Sequence, residues 1–260
     1  MPDLGSGSPD WRRLLDGVSH VVHLAGIAHA TAPLAESVYM RVNAEGSAEL
    51  ARAAGRAGVS RFVLMSSVRA QSGAAATEVL TEATPAAPND VYGRSKLAAE
   101  QAVAVELGAR ATSLRPVLVL GPSVKGNLGQ LRQLARSHLP LPFGALANRR
   151  SILGLSNLAA ATMFALTQDT ARGKTYLVAD PEPLGVRDLI AEMRAAIGRR
   201  PRLFSLPPEL LRTALRLGDR GSLAASLLGT LQVDSSALRE AGWRPVSTTG
   251  EEIARMMAAD

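Results

Sequence analysis

The chain has 260 residues, 47% hydrophobic and 20% charged, which is typical of a soluble globular protein with one large domain, or one domain and an appended lobe. It has no apolar run near the roughly 18 residues of a membrane-spanning helix, no signal-peptide pattern and no cysteine, which excludes membrane insertion, disulfides and thiolate metal sites and favours the cytoplasm. Its formal charge of +6 suits an anionic partner such as a nucleotide diphosphate, but 3% aromatic residues and no long basic run favour an arginine-rich solvated surface over nucleic-acid binding.

The first half of the sequence alternates short apolar runs with helical patterns. The runs read as buried strands because they are continuous and end in glycine or hydroxyl residues. Strands and helices that alternate over short connections indicate an α/β fold with a parallel, doubly wound sheet. The predicted elements are a strand over 19–26, a helix over 34–57, a strand over 59–67, a loop over 68–89, a helix over 90–107 and a strand over 111–121.

After Gly121-Pro122 the pattern changes to short helices with small strands between them. This part of the chain predicts a smaller, mixed α/β lobe that packs on the sheet. Its predicted helices cover about 128–137, 157–167, 186–197 and 207–217, and its predicted strands lie in RRSILGL and KTYLVA.

Tyr92 and Lys96, in the segment YGRSK, are the most informative pair of side chains. Four residues apart on a helix, they share one face. A phenol with its usual pKa near 10 is a poor acid or base at neutral pH, and a neighbouring ammonium should lower that pKa. The pair could then pass a proton to or from a sugar oxygen, and Ser66 or Ser67 at the preceding strand end could bond the same oxygen. The bare spacing also occurs by chance on helices.

Ser, Tyr and Lys on successive strand–helix units resemble the extended branch of the short-chain dehydrogenase/reductase superfamily, the NAD(P)-dependent epimerase/dehydratase family. The resemblance runs from Asp3-Leu4 to about residue 255. It implies a truncated, Rossmann-like NAD(P)-binding domain over 1–121 and a nucleotide-sugar lobe mainly over 122–260, with some segments returning to the sheet. The segments that carry it, in order, are VVHLAG, YMRVNAEGSAELARAAGRAGVSRFVLMSS, YGRSKLAAEQAV, LRPVLVLGP, RRSILGLSNLA and VDSSALREAGW.

The resemblance implies roles for individual residues. Tyr92 would be the general acid/base, Lys96 its partner on the nicotinamide ribose, and Ser67 the hydroxyl that polarises the substrate. The residues implied around the cofactor are Asp3 and Leu4 at the adenine, Leu24, Ala25 and Gly26 at the pyrophosphate and ribose, Tyr92 and Lys96, and Pro116 and Val117 at the nicotinamide.

Asn127 and Arg150 resemble the groups that hold a nucleotide-sugar diphosphate, and a guanidinium suits that task. A second phosphate-binding arginine, expected shortly before VDSS, is absent from SLLGTLQVD. Arg150 could instead be a solvated strand end. Asn43 matches a position that is more often structural than catalytic. His20, His23, His29 and His138 show no metal-ligand spacing, so we interpret them as structural and expect no metal.

A dinucleotide-binding sheet usually opens with a strand, a glycine-rich turn and a helix whose amides hold the pyrophosphate. Nothing before Val21 fits that unit, since no apolar strand precedes GSGS at 5–8. The resemblance implies on the order of 60 upstream residues, at about 30 per unit, including those that separate NAD from NADP. A start assigned too late, a real truncation and a gap filled by another chain all fit. We expect the first, and weak cofactor binding by the 260 residues alone.

The implied reaction is hydride transfer between NAD or NADP and C4 of a UDP-hexose. HLAGIAH, LPLPFG and NRRSILGLSNLA look closest to UDP-glucose 4-epimerase-like and UDP-4-keto-hexosamine reductase-like proteins of surface-polysaccharide synthesis. Both reactions use the same Ser–Tyr–Lys chemistry, so the motif does not separate them. The alternative is a truncated, catalytically silent nucleotide-sugar-binding module. The sequence identifies neither the sugar nor the oligomeric state, and a homodimer is compatible with the resemblance.

Overall fold

The structure, a computed structural model, describes residues 9–28, 34–217 and 228–259, so Asp3, Leu4 and His29 lie outside it. The strands are β1 His20–His23, β2 Arg61–Met65, β3 Val79–Leu80, β4 Ala111–Pro116, β5 Leu118–Leu120, β6 Ile152–Gly154, β7 Thr175–Val178 and β8 Gln232–Val233. The helices are α1 Trp11–Leu14, α2 Glu36–Tyr39, α3 Gly46–Arg56, α4 Val91–Leu107, α5 Gly126–Arg136, α6 Leu155–Thr167, α7 Val186–Ala196, α8 Pro208–Leu217, α9 Ser236–Glu240 and α10 Thr249–Ala258.

Four strands form the central sheet in the order β1-β2-β4-β7, and every neighbouring pair is parallel. Parallel neighbours need a crossover connection, usually a helix. Here α2 and α3 connect β1 to β2, and α4 lies between β2 and β4 in the chain. The predicted α/β class with a Rossmann-like parallel sheet is therefore confirmed.

Helices cover both faces of the sheet. On one face, α3 and α4 bury small and branched side chains such as Ala54 and Val103 against Phe62 and Leu64 of β2. On the other face, α6 packs against the opposite side of β2 and β4, where Trp243 is buried. Burial on both faces explains why β2 and β4 read as continuous apolar runs rather than as alternating ones.

The predicted strand over 111–121 is two strands in two different sheets. β4 ends at Pro116 inside the central sheet, whereas β5 pairs with β6 in a separate two-stranded sheet. The segment KTYLVA, predicted to belong to the second lobe, supplies β7 of the central sheet beside β4. The loop predicted over 68–89 also contains a short strand, β3, which pairs with β8.

A separate hydrophobic core lies around α5, α7 and α10, in the part of the chain that the sequence predicts as the second lobe. Leu131, Ile190 and Met256 from these three helices are buried there with Ile152 of β6. The sequence predicted α5 to α8 within two residues at each end. Within the described ranges, no helix is long and apolar enough to cross a bilayer.

The helix predicted over 34–57 is helical but not a uniform α-helix. Between α2 and α3 the chain forms a π-helical segment over Met40–Glu45. Such segments are rare and frequently occur at functional sites. This one contains the buried Asn43, whose contacts are described below.

Candidate active site

The helix that carries Tyr92 and Lys96 begins beside the end of β2. Asp90 caps α4, and its Oδ1 accepts a hydrogen bond of 2.6 Å from the amide of Gly93. Gly93 lies so near the loop after β2 that a Cβ would be 2.2 Å from the carbonyl oxygen of Arg69. The absence of a side chain at Gly93 therefore lets the first turn of α4 pack directly on that loop.

Ser67 is the second residue after β2 and faces this turn. Its Oγ accepts a hydrogen bond of 3.2 Å from the amide of Arg69, and its side chain is close enough to the Tyr92 hydroxyl to lower the pKa of the phenol. Ser66 points elsewhere and donates to Glu100 in the interior. The structure thus brings Ser67 and Tyr92 together, as the sequence predicted, and separates them from Ser66.

The pKa of the Tyr92 phenol is raised, chiefly because the side chain is buried. The hydrogen bond from Ser67 and the positive charge of Arg69 oppose that shift, while Tyr39 adds to it. The expectation that Lys96 makes the pKa of Tyr92 lower than usual is therefore wrong in its net direction here. The cation that favours the Tyr92 phenolate is Arg69, a residue that the sequence analysis did not select.

Lys96 lies one turn further along α4, where only 5% of the residue is exposed. Burial lowers its pKa to about 8, although the nearby Glu100 carboxylate acts in the opposite direction. Its Nζ would be 3.8 Å from a Cβ placed on Gly26, just beyond β1. Lys96 thus links α4 to the strand end that the resemblance implies for the cofactor.

Asn43 is hydrogen-bonded to the main chain of the segment that follows β1. Its amide group accepts from the Ile27 amide at 2.7 Å, donates to the Ile27 carbonyl at 2.9 Å and donates to Ser95 Oγ at 2.9 Å. A Cβ on Gly26 would be 2.8 Å from Asn43 Oδ1, so the glycine permits this approach. These contacts agree with the structural interpretation of Asn43.

The remaining residues implied around the cofactor lie at the carboxyl ends of β1 and β4. Leu24 is 62% exposed immediately after β1, and Ala25 is half-buried. Pro116 ends β4 opposite Val178, and the following Val117 is buried and donates its amide to the Val178 carbonyl at 3.2 Å. Ligands of open α/β sheets bind at this edge. The cofactor roles themselves stay predictions.

Arg150 reaches the loop after Ser67. It donates to the carbonyls of Gly229 at 2.8 Å and Ala74 at 3.1 Å. Burial lowers its pKa to about 10, and the charge of Arg69 contributes in the same direction. Arg150 therefore lies in the field of the same cation that acts on Tyr92, and it is not a solvated strand end.

Asn127 is half-buried in the first turn of α5. Diphosphate binding by Asn127 and Arg150 stays a prediction.

A buried polar network that the sequence pattern does not reveal lies next to the site. Arg115 of β4 forms an ion pair with Glu100 of α4, and its Nη1 donates to Gln71 Oε1 at 3.0 Å. Gln71 in turn donates to two carbonyls of the loop before α4. Nothing in the local pattern distinguishes these residues from solvated ones, because their partners are distant in sequence.

Arginines also gather in a pocket of about 220 Å³ in the second lobe, near His138. The buried guanidinium of Arg194 donates to main-chain carbonyls in the last turn of α5 and in the segment after it, including Ala135 at 3.4 Å and Leu139 at 2.7 Å. Cations at helix carboxyl ends are stabilising, so this cluster has a structural explanation. In the chain segments that the structure covers, no group of His, Asp or Glu is arranged to hold a metal.

The comparisons with known proteins agree with this architecture. The sequence profile described as NAD dependent epimerase/dehydratase family matches residues 5–179. A UDP-glucose 4-epimerase of Vibrio cholerae is 30% identical over 257 residues, which cover 95% of this chain and 78% of that protein. A 2'-dehydrokanamycin reductase of Streptomyces kanamyceticus is 34% identical over 169 residues, covering 59% of this chain and 46% of that protein. The solved structure of MoeE5 in complex with UDP-glucose and NAD has a TM-score of 0.72 at 21% identity, covering 98% of this chain and 83% of that one.

The fold is that of a Rossmann-like, short-chain dehydrogenase/reductase enzyme. The chain belongs to the NAD dependent epimerase/dehydratase family and is similar to its UDP-glucose 4-epimerase-like members. The family assignment made from the sequence segments is confirmed, and with it the assignment to an NAD-dependent class of enzyme.

Proposed function

We propose that this protein transfers a hydride at C4 of a UDP-hexose, as an NAD-dependent 4-epimerase of nucleotide-sugar metabolism. The observation that carries the proposal is the placement of Ser67 beside Tyr92 at the carboxyl edge of the sheet, where Gly93 lets the first turn of α4 pack on the loop after β2 and Ser67 acts on the phenol pKa. The similarity to the Vibrio UDP-glucose 4-epimerase over 95% of the chain supports the choice of substrate. A role in surface-polysaccharide synthesis is part of the same proposal.

The residues at this edge fit the nicotinamide half of NAD. Gly26 has a φ of +157° and no side chain, so the Asn43 amide and the Lys96 ammonium can approach the segment that follows β1. Lys96 could donate to ribose hydroxyls there, and Pro116 and Val117 would lie against the ring. When bound, NAD supplies the hydride acceptor and donor.

Tyr92 would move the proton of the C4 oxygen. A sugar hydroxyl between Tyr92 and Ser67 could donate a hydrogen bond to one of these side-chain hydroxyls and accept one from the other. This arrangement would align the sugar hydroxyl for proton transfer. Burial favours the neutral phenol, whereas Ser67 and Arg69 favour the phenolate. Because burial favours the neutral phenol, Tyr92 would return the proton to the C4 oxygen after the sugar has rotated in the site.

The positive charges extend from Tyr92 toward the second lobe. Arg150 lies in the field of Arg69 and, among the described residues, has no carboxylate partner within ion-pair distance. A diphosphate would supply the missing negative charge, and guanidinium groups bind phosphate through paired hydrogen bonds.

The test is conversion of UDP-glucose to UDP-galactose with added NAD, followed by NMR of the anomeric proton. Tyr92→Phe should lower kcat by roughly 10²- to 10⁴-fold with little change in UDP affinity, because it removes a proton-transfer group. The control is Tyr176→Phe, which removes a buried phenol that donates to the Thr170 carbonyl in another part of the fold. Equal activity of Tyr92→Phe and wild type would refute the proposal.

A reductase acting on a 4-keto sugar is the second candidate, and the similarity to the Streptomyces reductase supports the reaction type but not the position of the keto group. An epimerase consumes no net NADH, whereas a reductase consumes one equivalent for each product formed. Absorbance at the nicotinamide band during turnover therefore separates them. Binding of UDP-sugars without any turnover, in the presence of NAD, would identify the protein as the catalytically silent module.

A further inference from the structure

We propose that Arg69 is a positioning residue: through its ion pair with Asp90 it fastens the loop that carries Ser67 to the first turn of the helix that carries Tyr92. This inference rests on the proposed function of Ser67 and Tyr92. It concerns a residue to which neither the motif nor the family resemblance gave a role.

The contact at the centre of the proposal is the ion pair between the guanidinium of Arg69 and Asp90 Oδ2. Both side chains are about one-third exposed or less, so the pair is only partly screened by water. Arg69 is two residues after Ser67, and Asp90 is two residues before Tyr92. The pair therefore joins the two catalytic segments at almost the shortest possible separation along each.

Both ends of the ion pair are also tied to the main chain. The amide of Arg69 donates to Ser67 Oγ at 3.2 Å, so the same residue contacts Ser67 directly. Asp90 uses its other oxygen, Oδ1, to accept from the Gly93 amide at 2.6 Å. Movement of Arg69 would thus be transmitted to the Ser67 hydroxyl, and movement of Asp90 to the first turn of α4.

The backbone packing beneath the pair points the same way. The Cβ that Gly93 lacks would be 2.2 Å from the Arg69 carbonyl oxygen and 3.0 Å from the carbonyl carbon. The two segments are therefore in main-chain contact next to the ion pair that joins them. We refer to the ion pair, the Asp90 cap and this contact together as the clasp.

The clasp sets the distance between the Ser67 and Tyr92 hydroxyls, on which proton transfer depends. A displacement of about 1 Å in a catalytic group can lower a rate by about 10²-fold. Arg69 adds a positive charge near the phenol, alongside the other groups that act on its pKa, Ser67 from the loop and Tyr39 from α2. Positioning and charge are separable, because a lysine keeps the charge but not the planar donor geometry.

The kinetic test compares Arg69→Gln, Arg69→Lys and Asp90→Asn in the full chain with NAD present. Asparagine caps a helix as well as aspartate does, so Asp90→Asn keeps the cap and removes the ion pair. We expect Arg69→Gln and Asp90→Asn to lower kcat by about tenfold to a hundredfold with KM within about threefold. Arg69→Gln should also move the rise of kcat with pH to higher pH, and Arg69→Lys should restore most of that shift.

The double variant tests most directly whether Arg69 and Asp90 act together. If both residues act through one clasp, Arg69→Gln with Asp90→Asn should be no slower than the slower single variant, whereas independent effects would multiply. The matched control is Arg94→Gln, which breaks another ion pair on the same helix, with Glu36, where Nε and Oε1 are 2.9 Å apart. Multiplying effects of the two clasp variants, or an equal loss in Arg94→Gln, would overturn the proposal.

A spectroscopic arm separates failure of this inference from failure of the proposed function. The chain has three tyrosines, so the ring carbon bearing the Tyr92 hydroxyl can be assigned in ¹³C-tyrosine NMR by its loss in Tyr92→Phe. Arg69→Gln and Asp90→Asn should shift that signal, and Arg94→Gln should not. An unmoved Tyr92 signal refutes the clasp even if wild type converts no UDP-hexose, while a moved signal without turnover supports the clasp and counts against the function.

Discussion

Glu100 and Arg115 form a two-point ion pair in the interior of the protein. Arg115 Nε lies 2.9 Å from Glu100 Oε1 and Nη2 lies 2.6 Å from Oε2, with both side chains at most one-tenth exposed. Ser66 donates to the same carboxylate, and Glu100 also acts on the pKa of Lys96. The pair therefore links α4 to β4 and, through Ser66, to the end of β2. These are the elements that carry the candidate site residues.

Removing one partner of this pair should be costly. Glu100→Gln leaves the Arg115 guanidinium buried without a counter-charge, which typically lowers the free energy of unfolding by about 3–5 kcal/mol. Urea denaturation followed by circular dichroism measures the change. Glu106→Gln is the control: it breaks the exposed pair with Arg52 and should change the free energy by less than about 1 kcal/mol. Similar losses in the two variants would contradict this account.

His23 should make the protein sensitive to mild acid. Burial, with a smaller contribution from Lys96, lowers its pKa to about 4, whereas the unfolded chain takes up the proton near 6.5. Between these values the unfolded state binds more protons, so the free energy of unfolding falls as pH falls from 6.5 to 4. At about 1.4 kcal/mol per pH unit the loss is about 3 kcal/mol.

The measurement for His23 is a series of urea titrations from pH 7 to 4. His23→Gln should flatten the pH dependence, because glutamine stays neutral and can still bond Ser47, which lies 2.8 Å from His23 Nε2. His20→Gln changes an exposed histidine of the same strand and should leave the slope as it is. A slope unaffected by His23→Gln would assign the acid sensitivity to other groups.

Arg150→Ala should weaken the binding of UDP by about 1.5–3 kcal/mol, the contribution of a hydrogen bond to a charged group. Isothermal titration calorimetry with UDP measures it. Because Arg150 also bonds two main-chain carbonyls, the unfolding midpoint of the variant must be checked in parallel. Arg149→Ala is the control, since Arg149 is half-exposed and faces Asp188 at 3.6 Å. Unchanged UDP affinity in Arg150→Ala would leave that residue a structural role only.

Local patterns were enough to predict most of the helices and the central strands. Apolar runs that end in glycine or hydroxyl residues located β1, β2 and β4, and the helical pattern around Tyr92 and Lys96 located α4. They could not predict that β5 leaves the sheet after Val117 or that β7 joins it, because strand partners are chosen by tertiary packing.

The same limit applies within the site. Arg69 looks like any loop arginine until Asp90, distant in sequence, is placed against it. Arg115 stands in an apolar strand, where the pattern gives no sign of a buried carboxylate on α4. The raised pKa of Tyr92 differs from the sequence-based expectation for a related reason: burial depends on the whole fold, whereas the spacing shows only the neighbouring cation.

The π-helical segment Met40–Glu45 restricts how the length of this chain can vary. A π turn accommodates one residue more than an α turn, and each residue rotates an α-helix by about 100°. Deleting one residue from the segment would turn α2 relative to α3 and separate Asn43 from Ile27 and Ser95, while the bond between Ser47 and His23 stayed on the α3 side. Single-residue insertions and deletions in relatives should therefore fall before Glu36 or after Arg56, and a library of such length variants, scored for folding, would locate this boundary.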